Sequence, residues 1–205
     1  MSVKKKELII KKVRGKKLPD IYILLSGEAV LEVQEQSQNN FIYLITKNQL
    51  FGMENLIMDQ FKEIADIEYT VTALTDCCYI KIDAQIFLDH VYINPFSYHA
   101  IFSDIVNRYF LLAKSHQYLN QSPEVKLGIS LLNISSILKI KKNIHEEIVF
   151  PKYVTQRFLS QYVRSSEPNL SKASKQLEKE KLLKRKPFVI LDEKKLKEMI
   201  QRNTK

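Results

Sequence analysis

Cysteine is nearly absent from this 205-residue chain, and the two that occur, Cys77 and Cys78, are neighbours. Adjacent residues cannot reach ordinary disulfide geometry. A cross-linked secreted scaffold is therefore excluded, and a reducing, cytoplasmic setting is expected. Long apolar runs are missing as well. The cationic Lys4, Lys5 and Lys6 are followed only by Leu8, Ile9 and Ile10, far short of a signal-peptide core. No segment is long enough to span a bilayer, so no membrane partner is expected. Nucleophile motifs and phosphate-binding glycine loops are lacking, and His90, His99, His116 and His145 are scattered without ligand spacing. Neither catalysis nor a bound cofactor is expected.

Acidic residues are scarce in one region only. Residues 1–140 hold 15 Lys and Arg against 15 Asp and Glu, whereas residues 141–205 hold 17 against 8, so the whole surplus of +9 sits in the last third. Such a segment calls for a polyanion, either nucleic acid or an anionic membrane surface. With 45% hydrophobic residues the chain can bury a real core, in one large domain or two small ones.

From Asp20 to Asp83 the apolar pattern has a period of two. Ile21–Leu25 and Ala29–Val33 flank Ser26-Gly27-Glu28 and read as a hairpin with a glycine turn. Phe41–Ile45, Tyr69–Leu74 and Cys78–Ile82 add three strands, which predicts an antiparallel barrel or sandwich. After Pro95 the period changes. Tyr98, Phe102, Ile105, Tyr109, Leu112, His116 and Leu119 alternate steps of four and three, the heptad stripe of a long helix that pairs with a second copy. A narrower stripe through Val106, Phe110 and Ala113 is expected to pack on the barrel. Ser122-Pro123 restarts a helix through Leu127, Leu131, Leu132 and Ile134. The predicted organisation is α+β: a barrel over 1–93, a dimerisation helix over 94–120 and a basic domain over 121–205.

Within that basic domain, Thr155 caps a short helix whose inward residues are Leu159 and Val163. Ser165 and Ser166 form the turn and cap a second helix, with Pro168 in its first turn. On that second helix Leu170, Ala173 and Leu177 share one face, and Lys172, Lys175 and Lys179 share the opposite one. Charged faces usually only solvate a helix. Here the helix also follows a capped partner and precedes a basic Lys184-Arg185-Lys186 turn and the β-rich Phe188–Leu191, a combination that reads as a wing. A membrane-binding helix would need large apolar residues beside its lysines, and this one has none. The partner expected is double-stranded DNA, contacted by Thr155, Gln156, Ser165, Ser166, Glu167, Asn169, Ser171, Lys172, Lys175 and Lys186.

Thr155-Gln156-Arg157-Phe158-Leu159-Ser160, Val163, Ser166, Leu170-Ser171-Lys172 and Lys175-Gln176-Leu177-Glu178 with Leu182-Leu183 resemble the helix-turn-helix of Crp/Fnr regulators. Ile21–Ala29 resembles the second strand and turn of that family's cyclic-nucleotide-binding-like jelly-roll barrel. Val13-Arg14-Gly15 resembles its first strand, Leu50-Phe51-Gly52 the segment before its ligand cassette, and Asn94-Pro95 the start of its dimerisation helix. The resemblance implies a homodimeric transcription regulator with a winged helix-turn-helix.

Several positions depart from the family pattern. Met53 follows Gly52 where cyclic-nucleotide binders carry a glutamate, and Ile67-Glu68 stands near the position of their phosphate-binding Arg-Ser pair, so a cyclic phosphate would face a carboxylate. An iron–sulfur cluster would need four thiolates. Glu167 and Pro168 replace an arginine and a glutamate of the reading helix, Lys172 replaces a later arginine, and Arg164 occupies the usual turn glycine. The barrel is expected to be abbreviated at its N-terminal side, and Cys77-Cys78 stands as a minor candidate thiol sensor. Two rivals stay open beside an effector-responsive regulator: a constitutive DNA-binding protein with a vestigial barrel, and a small-molecule or protein-binding module with a degenerate helix-turn-helix. The effector, the operator and the direction of regulation are not legible.

Overall fold

The computed structural model describes residues 1–16, 18–33, 41–56, 67–118 and 120–203. Packing divides the chain into two units, Met1–Ala113 and Lys114–Lys205.

Among the described residues the first unit contains eight short strands: β1 (Ser2–Val3), β2 (Leu8–Lys12), β3 (Asp20–Ser26), β4 (Ala29–Val33), β5 (Phe41–Ile45), β6 (Leu50–Phe51), β7 (Tyr69–Ala73) and β8 (Cys77–Asp83). They form two antiparallel sheets, β1-β8-β3-β6 and β2-β7-β4-β5. This is the strand distribution of a double-sheet jelly roll. Strand β7 shows why: Tyr69, Val71 and Ala73 are buried while Thr70 and Thr72 point to the other, half-exposed face. Ile10, Leu24, Ala29, Ile45, Tyr69 and Val71, drawn from both sheets, share one core.

Three expectations need correction. The expected barrel is not closed: among the described residues no ladder joins the sheets, because β1 and β2 each have a single partner and β5 and β6 end their sheets. The expected hairpin at Gly27 is a crossing, since β3 pairs with β6 and β8 while β4 pairs with β5 and β7. Gly27 has φ +87, and a methyl group there would lie 2.5 Å from the Asp76 carbonyl oxygen and 2.8 Å from Cys77 Sγ. A second crossing, Leu74–Asp76, runs alongside. Its Leu74 and Thr75 amides donate to Glu28 O at 2.8 and 3.2 Å, and the Glu28 amide donates to Thr75 Oγ1 at 2.9 Å. Finally, Val13-Arg14-Gly15 is a turn, and the strand is the preceding Leu8–Lys12.

Helix α1 (Ala84–Ile93) follows, capped by Asp83, whose carboxylate accepts from the Gln85 and Ile86 amides. Helix α2 (Pro95–Gln117) is the predicted long helix, and its first nineteen positions belong to the first unit. The face it turns to the sheets is not Val106, Phe110 and Ala113. Phe110 is exposed, packed edge-on against Tyr109, and the sheet side instead carries Ile101, Asp104 and Arg108. Arg108 donates to Leu50 O at 2.8 Å, pairs with Asp104 at 2.5 Å and lies over the Tyr43 ring. A polar hook, invisible to an apolar count, holds that face.

The second unit is built around α3 (Pro123–Ile137), whose Leu127, Leu131 and Ile134 are fully buried. Around it lie β9 (Ile148–Val149), α4 (Gln156–Val163), α5 (Glu167–Lys179), β10 (Leu183–Arg185), β11 (Phe188–Ile190) and α6 (Glu193–Asn203). The three strands form one antiparallel sheet in the order β10-β11-β9. Gly128 lets α6 approach α3: a methyl there would lie 3.2 Å from both Leu196 and Ile200. Helices α3, α4 and α5 end alike, on a left-handed residue that is a cation rather than glycine: Lys139 (φ 51), Arg164 (φ 53) and Lys181 (φ 57). In each, the next amide reaches back five residues, as Ser165 N does to Ser160 O at 2.9 Å, and the cation's own amide reaches back three, which is the Schellman arrangement.

Candidate nucleic-acid interface

Helix α4 starts where Thr155 Oγ1 accepts the Phe158 amide at 3.2 Å. Phe158, Leu159, Ser160 and Val163 are buried. The Schellman turn at Arg164 then redirects the chain within three residues, and Ser166 Oγ accepts the Asn169 amide at 3.4 Å to start α5. Glu167 and Pro168 occupy the first turn of α5, an acid where the positive end of the helix dipole favours one and an imide that sacrifices no bond. Gln156 Nε2 donates to Glu167 O at 3.4 Å, linking the two helix starts.

Leu170, Ala173 and Leu177 are at most 1% exposed, so one face of α5 is wholly committed to the core. Lys172, Lys175 and Lys179 on the opposite face are exposed. Behind α5, β10 and β11 turn at Lys186-Pro187, and Arg185 Nε donates to Glu178 at 2.7 Å, which ties this hairpin to the helix. Of the ten residues expected to face DNA, Thr155, Ser166, Glu167, Asn169, Lys172, Lys175 and Lys186 are exposed and Gln156, Ser165 and Ser171 half-buried. All lie in the second unit. Gln156 and Glu167 are in direct contact, and Lys186, at the hairpin tip, lines one pocket with Thr155 and Gln156. Lys152 and Pro187 were not singled out in the sequence, although Pro151-Lys152 stands just before the capped helix.

In the first unit the heptad positions of α2 are uncovered: Tyr98 is 60% exposed, Phe102 53%, Tyr109 66%, with Ile105 and Leu112 also exposed. Tyr98 and Phe102 stack at 6.2 Å. His116 lies on the helix, and Leu119 falls outside the described residues.

Met53 packs against the cluster of Ile21, Leu50 and Phe87. Tyr69 Oη donates to Glu54 at 2.9 Å, and burial together with that carboxylate pushes the phenol well above its usual range. Burial likewise raises the Cys77 thiol, which donates to Glu28 O and Thr75 O at 3.3 Å. A thiol so held is a poor thiolate, the opposite of what a sensor needs. Among the described residues no three His, Cys, Asp or Glu side chains gather into a metal site, and no helix is long and apolar enough to cross a membrane.

Residues 1–91 match the family model of the cyclic nucleotide-binding domain. No curated protein matches the chain by sequence. Solved structures share the fold over nearly its whole length. A cyclic nucleotide-binding domain containing protein from Listeria monocytogenes EGD-e is 20% identical, with TM-score 0.73, covering 95% of this chain and 89% of that one. The c-di-GMP responsive global regulator of Xanthomonas campestris is 15% identical, with TM-score 0.74 and coverages of 93% and 92%. A transcriptional regulator of the CRP/FNR family from Thermus thermophilus is 21% identical, with TM-score 0.67 and coverages of 99% and 98%. Transcription regulators of the CRP/FNR family are thus among the structural neighbours, and at these identities the likeness is one of fold.

Proposed function

We propose that this protein is a sequence-specific DNA-binding transcription regulator that acts as a homodimer, with α4, the Arg164 turn and α5 as its helix-turn-helix and β10–β11 as its wing. The observation that carries the reading is α5 itself, whose inner face is fully buried while its outer face presents Lys172, Lys175 and Lys179. In a major groove, Glu167 accepts from cytosine N4, Asn169 reaches a base edge and Lys172 donates to guanine, while Thr155, Gln156 and Lys186 hold phosphates. The uncovered α2 stripe supplies the second copy, which sets two reading helices on paired half-sites.

A cyclic nucleotide is not the effector in this reading. Glu54 is engaged with Tyr69, and Ile67-Glu68 offers a phosphate diester a carboxylate and no cation. Selection from pooled random duplexes at low and moderate salt tests the proposal. Recovery of a two-fold symmetric motif with half-sites about one helical turn apart supports it. Uniform weak binding, or none, would remove the sequence-specific regulator.

A further inference from the structure

The second unit holds a pocket of about 620 Å³ whose interior the DNA reading leaves unassigned. It lies between the wing tip and the segment leading into α4. Val149, Pro151, Val154 and Phe188 give it apolar walls, of which Val154 and Phe188 belong to the core while Val149 is exposed. Lys152, Arg185 and Lys186 also line it, and among the described residues no lining side chain is acidic. Arg185 is already paired with Glu178, whereas Lys152 and Lys186 make no ion pair among the described residues.

The volume falls in the range of small-molecule sites, about 300–1,000 Å³. Its walls and charges select among occupants. A neutral apolar molecule would desolvate two lysines without compensation, and an inorganic anion would leave the proline, valine and phenylalanine surfaces wet. An apolar body with one negative end satisfies both. We propose that this pocket binds a small apolar carboxylate, its hydrocarbon part against Val149, Pro151 and Phe188 and its carboxylate toward Lys152 and Lys186. Lys186 and the pocket-lining Thr155 and Gln156 also belong to the face assigned to DNA phosphates, so the ligand and DNA exclude one another. That exclusion rests on the DNA-binding reading; the binding itself does not.

The probe is 2-naphthoate, titrated into the full chain without DNA and followed by two-dimensional amide spectra, with neutral 2-naphthalenemethanol as its partner. Saturable binding of naphthoate is expected, with shifts at Lys152–Gln156 and Arg185–Phe188 and little response to the alcohol. The surface double variant Lys152→Gln with Lys186→Gln is expected to weaken it about tenfold, the equivalent of one good charge contact. Val149→Trp, which fills the pocket from an exposed position, is expected to abolish it. No saturation at millimolar concentration, or equal affinity in both the lysine double variant and a folded Val149→Trp, overturns the site. A selected duplex is then added. Weaker naphthoate binding supports exclusion, and unchanged affinity in the presence of bound duplex overturns it. A chain that binds naphthoate as predicted but no duplex at all would sink the DNA reading and leave the pocket standing.

Discussion

Along the heptad stripe of α2 the residues left in water include Tyr98, Phe102, Ile105, Tyr109 and Leu112, whereas on the outer face of α5 they include Lys172, Lys175 and Lys179. Both helices anchor their other side, α2 through Ile101 and the Arg108 hook and α5 through Leu170, Ala173 and Leu177. The uncovered faces differ in what water does to them. Solvent is the wrong environment for five large apolar side chains, and covering the exposed half of each is worth about 1 kcal/mol. It is the right one for lysines, which gain only when a polyanion releases its counterions. An exposed surface therefore announces a partner through its chemistry, with the first face responding to protein concentration and the second to salt.

Breaking the apolar side has the largest expected effect. Phe102→Glu with Tyr109→Glu should weaken self-association by about a thousandfold, roughly 4 kcal/mol, in sedimentation equilibrium, and DNA affinity should fall with it. Removing the cationic side should be milder. Lys172→Ala and Lys175→Ala should each cost about tenfold in duplex affinity, lower the salt slope by about one, and leave the thermal midpoint and the oligomeric state unchanged. Arg164→Gly sharpens the contrast between folding and binding at one turn. Relief of the left-handed strain should stabilise the second unit by about 1 kcal/mol in thermal unfolding, and Arg164 is assigned no role in base reading. The smallest effect is expected at Glu193. Hydrogen bonds from Lys197 and Lys142 hold its carboxyl below the ordinary value of 4.5. A lowered carboxyl adds stability above that ordinary value and loses it as pH falls through the folded one. Glu193→Gln should therefore reduce stability by about 0.5 kcal/mol at neutral pH and low salt, with the difference vanishing on acidification.

Much of the second unit was legible because its signals are local. Thr155, Ser122 and Ser166 are hydroxyls one residue ahead of an apolar period, and each caps the helix expected of it. The separation of Leu170, Ala173 and Leu177 from the lysines needs only the helical angle. The strands of the first unit were legible one by one, but their pairing was not. Period two says that a strand has two faces, yet it does not say which sheet the strand joins, so the crossing at Gly27 looked like a hairpin. Helix α1 was missed because Phe87 is its only buried residue and Ile86, Tyr92 and Ile93 face water, which leaves no stripe to detect. Helix α6 was missed because its buried pair, Leu196 and Ile200, is submerged among lysines. At the candidate site the solvent-facing helix residues were recoverable from sequence. The pocket was not, since Val149, Lys152 and Phe188 come together only when β9 and β11 pair.

The pairing of β1 with β8 sets a schedule for synthesis. Met1 donates its terminal amine to Tyr79 O across a separation of 78 residues, and Ser2 registers with Cys78. On the ribosome β1 thus emerges well before β8, with which it pairs. Both crossings between the sheets close on the same late segment, so until residues 69–83 appear β1 and β2 wait for their partners and β3 and β4 each keep one edge open. Edges of that kind invite pairing with neighbouring chains. The lysines at 4–6 and 11–12, one of which reaches Asp76 at 2.8 Å once the fold closes, keep those waiting strands charged in the interval.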